Sequence, residues 1–144
     1  MAVLFMLTGV VYFYPRGMAS LSVVSIVVSN MAASIGFYSD LGLTLSGGGP
    51  DDDHSDFAGD GVRVMLDTES LMCKLHPEWV RPTGGHAMAL AFECESPEAV
   101  DRTFESFVKA GHVSVQVPWD AFWGQRYATV ADPDGNPVDL FCAL

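Results

Sequence analysis

Apolar and polar positions along this chain follow two rhythms, and each change of rhythm falls at a turn or cap residue. Residues 21–29 (LSVVSIVVS) are rich in β-branched side chains and predict a buried strand. Asn30 then offers a side-chain oxygen suited to capping a helix. Met31, Ile35, Phe37, Tyr38 and Leu41 recur at helical spacing until Gly42 ends the run. A short strand is predicted at residues 43–45. Residues 47–56 (GGGPDDDHSD) read as a polar, glycine-rich, acidic loop, and residues 62–66 as a strand behind the Asp60-Gly61 turn. Residues 68–85 carry Pro77, Pro82 and Gly84-Gly85 and read as a long connection. The rhythm then returns. Residues 86–95 predict a strand, and Ser96 and Pro97 a helix start. Val100, Phe104, Phe107 and Val108 form the apolar helix face, and Gly111 stops it. Strands are predicted at 112–117, 125–131 and 138–141, the last two joined by the turn Asp132-Pro133-Asp134-Gly135.

The order is βαβββ, then βαβββ, and a faint repeat at an offset of 65 residues supports it. It sets Val23 against Met88 and Asn30 against Glu95. Nearer the end of each unit, Asp60-Gly61-Val62 matches Asp134-Gly135-Asn136. The fold class predicted is α+β. The two units form a curved mixed sheet around a ligand cavity, since one open sheet cannot cover its own face but two can enclose a space. The domain spans residues 18–144, with units at about 21–68 and 86–144. Residues 1–17 stand apart as an apolar extension, too short to span a bilayer and without the basic start of a secretory signal. An upstream start, an apolar strand packed on the domain and a weak signal all remain open for it.

Composition narrows the function. Seven Lys+Arg against eighteen Asp+Glu give a net charge of −11, which disfavours nucleic acid and anionic membrane surfaces as partners. Cys73, Cys94 and Cys142 form no CxxC pair, so reduced thiols in a cytoplasmic protein are expected. His54 reads as part of a solvated turn, and His76 and His112 as exposed connection residues. No GxSxG elbow, phosphate loop or GxGxxG after a strand is present. The densest functional signal is VPWDAFWGQRY, which places Trp119, Phe122, Trp123 and Tyr127 within nine residues. Such rings stack on planar or cationic ligands, and they also fill cores and dimer contacts. Either Gln125 and Tyr127 or Arg126 and Ala128 face inward, and the first pair is favoured; Arg126 then has Asp120 or Asp132 as a partner.

Several segments resemble the vicinal oxygen chelate superfamily, the glyoxalase, bleomycin resistance protein and dioxygenase family. They are VVSNMAASIGFYSDLGL (residues 27–43), GVRVMLDT (61–68), LAFECESPEAVD (90–101) and FWGQRYATVADPDGNPVDLF (122–141). The resemblance spans about residues 21–144. It implies metal ligands, His or Glu, on the first and last strands of each unit. Carried over singly, those positions are Val23, Met65, Met88 and Asp139, of which only Asp139 can bind a hard ion. His86, two residues before Met88, is a second ligand candidate, though the favoured reading is that it caps the cavity or sits in the loop mouth.

The expectation is therefore a small-molecule-binding protein that sequesters an aromatic or cationic compound without a metal, as in the bleomycin-resistance branch. Its ligand-binding residues would be Trp119, Phe122, Trp123, Gln125, Tyr127, His86 and Asp139. The resemblance further implies a homodimer. The alternative is a metal-dependent lyase, isomerase or dioxygenase using Asp139, His86, a further group and a divalent metal.

Overall fold

The computed structural model describes residues 6–7, 10–11, 21–59, 61–86 and 88–144. Near the start, β1 (Met6–Leu7) pairs antiparallel with β2 (Val10–Val11). The other expectations for residues 1–17 lie outside the described residues, as does Asp60 of the expected turn.

The first unit runs β3 (Val23–Val28), α1 (Met31–Asp40), β4 (Thr44–Gly47), β5 (His54–Ala58) and β6 (Arg63–Thr68). The second runs β7 (Leu90–Glu93), α3 (Pro97–Lys109), β8 (Val113–Ala121), β9 (Gln125–Ala131) and β10 (Pro137–Ala143). A short helix, α2 (Glu69–Leu75), lies between them. Each unit makes a four-stranded mixed sheet, ordered β3-β6-β5-β4 and β7-β10-β9-β8. In each, the first strand runs parallel to the last, and all other neighbours are antiparallel. The α+β class and the paired βαβββ units are as expected, but the strands form two sheets rather than one. Among the described residues no ladder joins them, so β3 and β7 each keep a free edge.

Three local readings need correction. The stretch read as an acidic loop contains the start of β5, because Ser55 and Phe57 turn inward while His54 and Asp56 face outward. Gly48, at φ +71°, permits the turn before it: a Cβ there would lie 2.2 Å from the His54 carbonyl oxygen. The connection after β6 holds α2, whose N-cap Thr68 accepts from the Leu71 amide at 3.1 Å. Among the described residues, the strand expected at residues 86–95 forms over Leu90–Glu93.

Burial divides each sheet into two faces. Ile26, Val28, Phe57, Val64 and Leu66 pack on the helix side of the first sheet. Leu90, Phe92, Ala128, Val130, Val138 and Leu140 do so in the second. Helix α1 inserts Phe37 against Phe107 of α3, edge to face at 5.2 Å, so both units share one core. His112, expected to be exposed, is half-buried beside Phe37 with ring centroids 4.9 Å apart.

A buried polar clasp reinforces that junction. Tyr38, fully buried in α1, donates its hydroxyl to Asp132 at 2.8 Å. Asp132 also accepts from the Asp134 and Asn136 amides and the Asn136 side chain, which accounts for the DPDGN turn. Burial first, then the nearby Asp132 carboxylate, raises the Tyr38 pKa and keeps the phenol protonated. No helix among the described residues is long and apolar enough to cross a membrane.

Candidate functional site

Because side chains alternate across a strand, the core-facing residues also fix which residues occupy the opposite, helix-free face of each sheet. In the second sheet, cross-strand pairing produces two rows. One row runs Ala91, Asp139, Thr129, Gln116; the other runs Glu93, Phe141, Tyr127, Trp119. Gln125 and Tyr127 thus share a face with Asp139. Arg126 and Ala128 point to the helix side, where Ala128 is buried and Arg126 holds Asp101 of α3 at 2.8 Å. Arg126 also reaches Asp120, at 2.9 Å, and not Asp132.

The Asp139 carboxylate is the polar centre of this face. Thr129 Oγ1 donates to Asp139 Oδ1 at 2.7 Å, and the Tyr127 hydroxyl lies near the same carboxylate. Burial first, then the nearby Asp139 carboxylate, pushes the Tyr127 hydroxyl up to about 12. Trp123 is the hub of the aromatic group. Its ring meets Phe122, Trp119 and Tyr127 edge to face at 4.9, 5.3 and 5.5 Å. Trp123 Nε1 donates to Gln125 Oε1 at 2.8 Å, which fixes the hub's tilt. Trp119 Nε1 is buried and has no hydrogen-bond partner among the described residues. Phe122, at the tip of the β8–β9 hairpin, is 91% exposed.

His86 is elsewhere. It is exposed before β7 and lines a cavity of about 630 Å³ along β3, together with Tyr38, Trp79, Arg81, Met88 and Asp134 among others. Neither Asp139 nor any residue of the aromatic group lines that cavity, so the structure does not bring His86 and Asp139 together. Arg81 anchors the connector beside it through ion pairs to Glu69 and Asp134.

The first sheet's helix-free face carries a network that sequence reasoning missed. Asp67 accepts from the Ser25 hydroxyl and meets His54 Nδ1 at 2.6 Å. His54 Nε2 lies 3.2 Å from Asp56, which pairs with Arg63 at 3.3 Å. His54 therefore sits on a strand between two carboxylates rather than in a solvated turn. The Asp67 contact foremost raises its pKa above the ordinary 6.5; burial pulls it down, and the Asp56 contact, smaller than either, adds to the rise. The signal available in the sequence was the alternation His54, Asp56 outward with Ser55, Phe57 inward.

The helix caps test the register of the two units. Asn30 and Ser96 both cap helices, and they stand 66 residues apart, one more than the offset read from the sequence. Val28, Ile26 and Val24 then match Cys94, Phe92 and Leu90, all on the helix side. Val23 matches Ala89, not Met88. Met65 and Asp139 stay equivalent, opposite Ser25 and Ala91. The four positions where the resembled enzymes hold metal are thus Val23, Met65, Ala89 and Asp139. Valine and alanine have no donor atom, a thioether suits soft ions, and the single carboxylate already accepts from Thr129. Among the described residues no group of three or more His, Cys, Asp or Glu is arranged to hold an ion. The residues present do not fit a hard divalent metal.

Solved structures show the same architecture. A glyoxalase/bleomycin resistance protein/dioxygenase family enzyme from Burkholderia phytofirmans PsJN is 21% identical, with a TM-score of 0.74, covering 88% of this chain and 100% of that one. A glyoxalase/bleomycin resistance protein/dioxygenase from Nocardioides is 26% identical, with a TM-score of 0.72, covering 90% and 87%. A lactoylglutathione lyase from Agrobacterium tumefaciens is 16% identical, with a TM-score of 0.64, covering 88% and 95%. No functionally curated protein matches the sequence significantly. The profile of the Glyoxalase/Bleomycin resistance protein/Dioxygenase superfamily matches residues 20–140, and the chain belongs to that superfamily.

Proposed function

We propose that this protein binds and sequesters a planar aromatic cation on the helix-free face of its second sheet, without a metal. The observation that supports this reading is the juxtaposition of an anchored carboxylate with an aromatic hub. Asp139 is held by Thr129, and the nearby Tyr127 is in ring contact with Trp123. A cation paired with Asp139 would bring its ring system against Tyr127 and Trp123, where stacking and cation–π attraction add to the ion pair. The net charge of −11 draws cations toward the molecule as a whole. The orphaned Trp119 Nε1 leaves one donor for an acceptor atom of the ligand once the hub adjusts.

The working form in this reading is a cytoplasmic homodimer. The free edges of β3 and β7 and the 91% exposed Phe122 support association with a second copy. Sequestration is favoured over metal-assisted chemistry by the donor set, in which Val23, Met65 and Ala89 offer nothing to a hard ion.

Quenching of tryptophan fluorescence by 9-aminoacridine, with calorimetry for stoichiometry, tests the reading. Removing the carboxylate in Asp139→Ala is expected to weaken binding roughly tenfold or more, the loss of one charge-assisted contact. Trp123→Ala is expected to weaken it as well. Binding that is equally tight in both variants would overturn the assignment of the site. Stoichiometric divalent metal in the purified protein, lost in Asp139→Ala, would move the protein to the metal-dependent enzymes of its superfamily.

A further inference from the structure

Two of the three cysteines, far apart in sequence, meet across a ladder. The parallel pairing of β10 with β7 ends with Phe141 against Glu93, and Cys142 and Cys94 are the residues that follow directly on the two chains. The register is held there, because the Cys94 amide donates to the Phe141 carbonyl at 2.8 Å. Both thiols are half-buried on the helix side, against the edge of the core. Cys94 interacts with Thr103 of α3, and Cys142 stands opposite Arg126, whose guanidinium reaches the same helix. Neighbouring strands lie about 4.8 Å apart, inside the roughly 4.4–6.8 Å range of Cα separations that a disulfide spans.

We propose that Cys94 and Cys142 are a redox modification site, a cross-strand dithiol that a low-molecular-weight disulfide such as oxidised glutathione converts to an intramolecular disulfide. One protein thiolate attacks a glutathione sulfur, forming a mixed disulfide and releasing one glutathione thiolate. The second protein thiolate attacks the protein sulfur of that mixed disulfide and expels the other glutathione. Two thiol protons are lost, and two electrons pass from the protein sulfurs to the oxidant. The product staples β7 to β10, the strands that carry Glu93 and Asp139 toward the opposite face. In a reducing cytoplasm the dithiol form prevails, and the bond forms when the glutathione pool is oxidised. Burial pushes the Cys94 thiol up, against a smaller pull from Thr103, so the pair reacts more slowly than an exposed thiol. The inference is independent of the ligand proposed above.

The native protein is incubated with oxidised glutathione, alkylated and digested with trypsin without reduction. Cleavage after Lys74, Arg102 and Arg126 leaves Cys73, Cys94 and Cys142 on three separate peptides. The expected result is a linked pair of the Cys94 and Cys142 peptides, an intact mass lower by two hydrogen atoms, reversal by dithiothreitol, and a higher Tm in the oxidised form. Cys73→Ser, which leaves the pair intact, is expected to give the same linkage. Separate glutathione adducts on Cys94 and Cys142 without a linked peptide would overturn the proposal, as would links that all involve Cys73.

Discussion

His54 stands between Asp67 and Asp56, and that position couples its protonation to folding. Its folded pKa lies above the ordinary 6.5, mainly through Asp67. A group raised in the folded state binds its proton more tightly there than in the unfolded chain. Its contribution is complete below about pH 6.5 and is lost as pH rises through the folded pKa. Urea midpoints measured from about pH 6 to about pH 9 are expected to fall over that interval, and His54→Gln is expected to flatten this part of the profile. A proton NMR titration placing the His54 midpoint below its ordinary value would overturn the argument. The charged groups facing the imidazole are Asp56, Asp67 and, through Asp56, Arg63. This network escaped sequence reading because His54 and Asp67 are neighbours only across the β5–β6 ladder, and nothing local marks that pairing. Asp139 and the aromatic group were legible because DPDGNPVDLF and VPWDAFWGQRY carry turn chemistry and ring clusters within a few consecutive residues. His86 lines a cavity, as its reading at a cavity mouth expected, but it does not reach Asp139, because the strand expected to carry it there is formed over Leu90–Glu93.

Helices α1 and α3 were legible because their ends are written in capping chemistry. Ser96 accepts from the Ala99 amide at 3.2 Å, Pro97 occupies the first turn, and Glu98 lies in that turn near the positive end of the helix dipole. Ser96→Ala is expected to cost about 1 kcal/mol, read as a lower urea midpoint at unchanged slope, and Ser96→Asp to recover most of it. A Ser96→Ala midpoint equal to that of the parent would show that the cap is carried by Pro97 and Glu98 alone. The same caps correct the repeat: an offset read from apolar similarity slipped by one residue, and in a strand that exchanges the two faces. Strand β5 was hidden because its two inward residues are Ser55 and Phe57, a single bulky apolar side chain directly after Asp51-Asp52-Asp53. Helix α2 was hidden because none of its residues is fully buried, so its seven residues show no core-facing stripe.

At the scale of the molecule, the two units are two sheets that share one core. Phe37 of the first unit packs against Phe107 and His112 of the second, and Tyr38 is hydrogen-bonded to Asp132 across the same junction. The buried cluster runs without interruption from Val28 to Leu140 through these contacts. Neither helix can leave without exposing the other's apolar face, so unfolding is expected to be a single cooperative transition. Of the three tryptophans, Trp119 and Trp123 lie in the second unit and Trp79 lies in the connector, where it lines the cavity along β3, whereas far-UV circular dichroism reports on both units. Phe37→Ala alters a residue of the first unit and contacts no tryptophan in any ring pair. Truncating a fully buried ring costs about 3–5 kcal/mol. If the units are coupled through this junction, the tryptophan transition moves to lower urea by the same amount as the circular dichroism transition, and the two remain superimposed. If each unit stands alone, the tryptophan curve stays in place while the circular dichroism curve broadens and splits. The coupled outcome would also mean that a ligand held at Asp139 stabilises the first sheet, since binding to the native state alone is linked to the whole transition and not to half of it.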